Sequence, residues 1–267
     1  MRATRTLVLL FSIITAVVIT VFVLTITGDD NTDTTQPPAK NGQGSTTAAP
    51  STTPSAARPP TVDMFGNRLE VPAEEAGAAL PQSAQERVDP ARPDYLSAPP
   101  ARLQWQRIWG GAAVAVSGSD GPARIDAGVA EGFARTPQGA ALAALDAVGR
   151  VYAAHDPIWR DVVRERFYGG GQPLIDRFAR SRADTPGAAR YVTVPEGVRI
   201  QPGYRDDLAV VQLAVRSTTG YAIATWPMVW VEGDWRVRVP DDIESLWRPA
   251  TPTASLTGFG DWKARSS

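Results

Sequence analysis

The chain has no cysteine, one histidine and two lysines among 267 residues. Absent cysteine excludes a disulfide framework, thiolate zinc sites, iron–sulfur ligation and cysteine nucleophiles. A single imidazole, His155, excludes any site that needs two. Neither sign of charge prevails: 27 Lys and Arg stand against 28 Asp and Glu, a formal net charge of -1. That balance leaves no electrostatic footprint for nucleic acid, and no nucleic-acid partner is expected. Lysine occurs only at Lys40 and Lys263, so nearly every base is arginine. With abundant Ala, Gly and Pro, this points to the codon bias of a GC-rich genome rather than to function.

What is present begins with a long apolar run. Sixteen of the twenty residues 7–26 are apolar and none is charged. Twenty helical residues span about 30 Å, the thickness of a bilayer's hydrocarbon core. A cleaved signal peptide has a shorter apolar stretch and a small-x-small exit. This run leaves through Thr25-Ile26-Thr27-Gly28-Asp29-Asp30, with no such site and no cysteine for a lipid anchor. The expectation is a retained signal-anchor: a cytoplasmic stub over 1–6, a single transmembrane helix over 7–27, and everything beyond it extracytoplasmic. Arg2 and Arg5 set that orientation in the cell membrane by the positive-inside rule.

Residues 28–61 are mostly Thr, Ser, Pro, Ala, Gln and Asn, with no large apolar side chain. Such a segment cannot bury enough surface to offset its chain entropy, so a disordered stalk is expected. Its reach is on the order of 30 Å. Large side chains return at Met64, Phe65, Leu69 and Val71, around a turn at Phe65-Gly66-Asn67-Arg68. Residues 62–102 read as an extended Pro/Ala-rich segment that docks on the following domain as a short strand or hook. Recruitment of a partner is the alternative.

All eight Trp lie beyond residue 100, which marks the core of a domain over 103–249. Residues 114–116 suggest a strand and residues 117–122 a turn. Thr136 suits a helix N-cap and Pro137 the first helical position. Leu142, Leu145, Val148 and Tyr152 then form one apolar face. Second and third helices are expected over 157–167 and 173–182, separated by Gly169-Gly170-Gly171, a flexible connection. Period 2 takes over in short strands at 191–194 and 198–200 and long ones at 208–216 and 221–231. A hairpin turn follows at Glu232-Gly233-Asp234, and then a returning strand with Trp235, Val237 and Val239. Residues 241–247 suggest a helical turn. Residues 250–267 read as a flexible tail, although Phe259 and Trp262 are equipped to dock back. Helices followed by an antiparallel meander give an α+β fold, with helices packed on a curved antiparallel sheet.

Site candidates are few. His155 sits where a helix C-terminus favours histidine, so capping is expected of it rather than general-base chemistry. The carboxylate pairs Glu74-Glu75, Asp206-Asp207 and Asp241-Asp242 are sequence neighbours, not groups facing across a cleft. The glycine triplet lacks the Lys-Ser/Thr of a phosphate-binding loop. No catalytic, cofactor-binding or metal-ligating residue is therefore assigned, and no enzyme activity or cofactor is expected. Trp226, Trp230 and Trp235, at strand spacing, read as sheet core or as a ligand or partner surface.

The segment GSDGPARIDAGVAEGFARTPQGAALAAL (118–145), with Leu103-Gln104-Trp105-Gln106-Arg107 upstream, resembles an actinobacterial family of uncharacterised, single-pass membrane proteins. The order of helices before a Trp-rich antiparallel sheet also resembles the nuclear-transport-factor-2-like cone. Membrane-anchored proteins with such a domain serve as scaffold subunits of type IV secretion and conjugation machines. The resemblance implies assembly rather than chemistry. The expected function is a non-enzymatic, membrane-anchored extracytoplasmic assembly or interaction protein, with envelope proteins or further copies of itself as partners. The alternative is a stalked cell-wall module that binds peptidoglycan glycan.

Overall fold

The computed structural model describes residues 58–218 and 220–263. The stub, the expected transmembrane helix over 7–27 and nearly all of the stalk lie outside the described residues. Among the described residues, no helix is long and apolar enough to cross a membrane.

The first layer is a four-stranded sheet. It comprises β1 (Arg58–Val62), β2 (Arg68–Val71), β3 (Gln104–Ile108) and β4 (Ala112–Val116), in that order. β1 pairs antiparallel with β2, β2 parallel with β3, and β3 antiparallel with β4. The sequence suggested a strand at 114–116 and a short strand or hook around Leu69 and Val71, where β2 lies. β1 and β3 lack a period-2 apolar pattern, and Glu70 meets Gln106 only across a long connection. β1 begins inside the stretch read as stalk. Its Pro59 and Pro60 are tolerated because it is an edge strand.

The strip around Phe65 docks on the domain, as one of the two sequence readings has it. Asp63 accepts backbone N–H groups from Phe65 and Asn67, both at 2.9 Å, closing the turn. Its other oxygen accepts Val194 N at 3.0 Å, which fastens the turn to the domain. Leu69 is fully buried, whereas Val62 and Met64 stay exposed. The Pro/Ala-rich stretch is held by Gln106. Its amide accepts Ala78 N at 2.8 Å and donates to Ala78 O at 2.9 Å, as a paired strand would.

β5 (Arg124–Asp126) and β6 (Val129–Glu131) form a small hairpin before α1 (Pro137–Ala153). Thr136 caps α1 through Gly139 N at 3.0 Å, and Pro137 opens it. α2 (Ile158–Arg166), β7 (Phe167–Tyr168) and α3 (Gly171–Asp184) follow. Gly170 has φ +77°, and a Cβ there would lie 2.8 Å from that of Leu174. The glycine triplet is thus a tight approach into α3 rather than a loose connection.

The second sheet has the order β7-β11-β10-β9-β8. β8 (Gly197–Ile200), β9 (Leu208–Ser217), β10 (Gly220–Val231) and β11 (Asp234–Arg238) form the expected antiparallel meander. Glu232 and Gly233 both have positive φ between the paired residues Val231 and Asp234. That geometry matches the twist of the flanking strands. The segment 191–194 is not a strand: a 3-10 turn, Ala188–Tyr191, leads into it. β7 joins the sheet edge parallel to β11.

The tail departs furthest from expectation. β12 (Thr251–Thr253) pairs with β10. Trp262 is 2% exposed, donates to Ser97 O at 2.9 Å and accepts Trp105 Nε1 at 2.7 Å through its carbonyl. Through residue 263 this segment is an edge strand and a connection ending in one buried ring, Trp262. The described residues form a mixed α+β fold with three helices and several sheets.

Candidate functional site

Cross-strand register defines an inner sheet face. Val211, Leu213 and Val215 on β9 lie opposite Trp226, Ala224 and Ala222 on β10, so these six share one side. Met228 and Trp230 continue that side and meet Val237 and Trp235 on β11. α1 lies across this face and against β4. Its predicted apolar stripe then divides. Leu142 is fully buried in the core, while Leu145, Val148 and Tyr152 line a cavity of about 400 Å³.

The other walls are Phe178 of α3, the segment 188–193, and Leu213, Ala224 and Trp226 of the sheet. Small side chains at Ala113, Ala188 and Ala224 leave the space open. The C-terminal strap, residues 245–251, forms the lip. Asp242 caps the strap's 3-10 helix, Ile243–Trp247, through Glu244 N. Trp247 stacks 4.8 Å from Phe178, and Arg177 lies 4.3 Å above its ring. Arg177 also holds Glu244 at 2.8 Å. These contacts latch the strap to α3.

Tyr152 carries the buried hydroxyl beside this latch. Burial raises the phenol above its ordinary pKa and outweighs its hydrogen bonds to Ser181 and Trp247, so it stays neutral. Arg248 is the one charged residue of the lining. Its side chain is 75% exposed, with the Asp242 carboxylate 4.0 Å away.

The three tryptophans expected at a ligand or partner surface are not equivalent. Trp226 is half-buried and lines the cavity. Trp230 packs edge-on to Trp235 at 5.5 Å, beneath the Arg135 guanidinium. Trp235 is 0% exposed and donates to Ala134 O at 2.9 Å. The surface reading of Trp235 is therefore corrected: the 133–136 turn entering α1 covers that end of the inner face. The Trp226 end faces the cavity, with the strap at its lip.

The other candidates lie elsewhere. His155 is exposed, edge-on to Trp109. Arg182 reaches the last α1 carbonyls instead, donating to Val151 O and Ala154 O. Asp207 pairs with Arg205, and Asp206 offers its carbonyl to Arg135. Among the described residues, no group of three or more His, Asp or Glu is placed to hold a metal ion.

Sequence reasoning missed two buried polar centres. Arg150 and Asp146 form an ion pair at 2.7 Å with both side chains 0% exposed. Arg150 also donates to Ala76 O and Gly128 O. Their i,i+4 spacing was the available signal. The turn 117–121 is buried rather than superficial. Ser119 and Thr136 hydroxyls both donate to Asp120 at 2.5 Å, and Ser117 Oγ accepts Ser119 N and Asp120 N.

No curated protein and no solved structure matches this chain. A family profile does, over residues 70–261, from within β2 to the residue before Trp262, so it takes in the Pro/Ala-rich stretch and most of the C-terminal segment but not Asp63, Phe65, Leu69 or Trp262. The chain belongs to the family DUF8175, a domain of unknown function.

Proposed function

We propose that this protein is a non-enzymatic, membrane-anchored extracytoplasmic interaction protein, and that the apolar cavity is where it binds. The cavity carries the reading. It is a half-open pocket of about 400 Å³ with mostly apolar walls, the kind of concave space in which small ligands are bound. A sequence that keeps such a space open, behind a latched strap, keeps it for an occupant. The anchor over 7–27 and the polar stalk over 28–61 would hold that site away from the bilayer. Helices closing one side of a curved antiparallel sheet over an apolar pocket also support the nuclear-transport-factor-2-like reading. With it comes a place among envelope assemblies such as conjugation or secretion machinery. The glycan-binding alternative needs an exposed aromatic strip, and Trp226, Trp230 and Trp235 do not form one.

Two measurements on the full chain test this. Carbonate-resistant membrane retention, with the domain digested by protease added outside the cytoplasm, is the expected topology. A photoreactive residue at position 226 should cross-link to an envelope component or a second copy, whereas one at exposed position 180 should not. Release of the protein from carbonate-washed membranes, or equal cross-linking at both positions, overturns the proposal. Recovery with wall fragments alone, lost on muramidase treatment, favours the glycan module.

A further inference from the structure

We infer that the cavity accepts a single aliphatic chain ending in an acidic group: a fatty-acid-like amphiphile, its tail against Leu145, Leu213 and Trp226 and its head at Arg248. The inference rests on reading the cavity as the protein's binding site and names the ligand class.

Size is the first argument. A dry apolar cavity of about 150 Å³ holds benzene. In proportion, the roughly 400 Å³ here accommodates on the order of 15 carbon atoms. Chemistry is the second. The inner wall offers aliphatic and aromatic carbon from α1, α3 and the sheet, and burial keeps the Tyr152 phenol neutral. A sugar or nucleotide would leave polar groups unpaired against such walls, whereas methylenes are matched by them. Polarity is the third. Thr185, Thr193 and Thr225 put hydroxyls on the other walls, but the one charge of the lining, Arg248, belongs to the strap at the lip, beside Ser245 and Thr251. The mostly exposed Arg248 has only a distant carboxylate partner and is available to an anion. Residues 28–57 and 264–267 carry no large apolar side chain to lie against these walls.

The test uses the full chain in phosphatidylcholine vesicles with a palmitic acid carrying a terminal diazirine. After irradiation, mass spectrometry of the digest should place adducts on peptides containing Leu145, Leu213 and Trp226. Ala224→Phe, which fills the cavity from the sheet, should lower that labelling about tenfold at an unchanged thermal midpoint. Ala188→Phe fills it from the opposite wall and should do the same, which covers the case of a misfolded first variant. Arg248→Glu should reduce labelling several-fold with the acid but not with the matching long-chain alcohol. Adducts confined to residues 7–26, or labelling insensitive to both filling variants, overturn the inference. Equal effects of Arg248→Glu on acid and alcohol overturn the acidic head. Labelling of the same peptides by a diazirine-bearing apolar peptide, but not by the fatty acid, overturns the amphiphile and leaves the cavity as a binding site. Labelling by neither sinks both readings.

Discussion

Arg150 shows how much of the architecture hangs on single side chains. Its guanidinium joins three separate pieces of chain: Asp146 on its own helix, Ala76 in the docked segment and Gly128 in the β5–β6 turn. None of these atoms has water to fall back on, so removing the cation strands a buried carboxylate. Arg150→Met should therefore cost about 3–5 kcal/mol in urea unfolding. The double variant Asp146→Leu with Arg150→Met should lose less than Arg150→Met alone, because the stranded charge is gone. Equal losses would mean that the two backbone carbonyls, not the ion pair, make the residue necessary. Glu196 is a second such residue, with a pH signature. Burial pushes its carboxyl up, but hydrogen bonds from Lys263 and Arg216 outweigh burial and hold it below its ordinary value. A depressed folded pKa gives stabilisation that is complete above the unfolded value, about 4.3, and lost as pH falls through the folded one. Glu196→Gln should thus cost about 1 kcal/mol near neutrality. In paired urea titrations from pH 7 to pH 3, its difference from the wild type should shrink below about pH 4. A difference that persists at pH 3 would show that the charge of Glu196 is not what holds Lys263.

At the scale of elements, the strap is the piece whose stability is most separable from the rest. It is fixed by the Trp247 ring against Phe178 and by Glu244 against Arg177, and it adds one short strand to β10. The Glu244 carboxylate is 56% exposed, so its pair is worth only about 0.5–1 kcal/mol. Glu244→Ala should raise amide exchange over 243–251 about two- to five-fold. Trp247→Ala removes a half-buried ring with its Phe178 and Arg177 contacts and should raise it further, by about tenfold or more, with α1 unchanged. If α1 exchange rose in step, the strap would not open independently of the domain. The three helices were legible in the sequence because each carries its own local signals: Thr136-Pro137 at the start of α1, i,i+4 apolar spacing in α2, and a glycine break before α3. The long strands β9 to β11 were legible through strict alternation and the Glu232-Gly233 turn. The strap's lining role was not. It depends on Trp247 meeting Phe178, some 70 residues away, and nothing local encodes that meeting.

For the whole molecule, the lesson concerns its two ends. The sequence placed the domain within 103–249, where the Trp density and the periodic segments lie. Yet β2 joins β3 across a long Pro/Ala-rich stretch, and Trp262 closes on Trp105 and Ser97. Both are non-local pairings made largely by backbone atoms, which leave no periodic trace in composition. The pointers were the few large side chains in otherwise polar segments, Met64, Phe65, Leu69 and Val71 at one end and Phe259 and Trp262 at the other, of which Leu69 and Trp262 are the ones buried. The same blindness applies to the cavity. Leu145 and Val148 on α1 and Ala224 and Trp226 on β10 are ordinary core residues in sequence, and only the register of β9 with β10 turns them toward a shared space. The family match from 70 to 261 extends past 103–249 on both sides and stops just short of Leu69 and Trp262. If the C-terminal segment is core, removing its one buried ring must act globally. Trp262→Ala in the full chain should cost about 3–5 kcal/mol, within the range for burying and then deleting a large aromatic. Urea unfolding followed by circular dichroism should show one transition moved to lower denaturant, with its slope unchanged. A loss below about 1 kcal/mol would make the segment an appendage on a self-sufficient 103–249 domain. A second, earlier transition would show the N- and C-terminal segments melting as a unit of their own, hinged on Trp105.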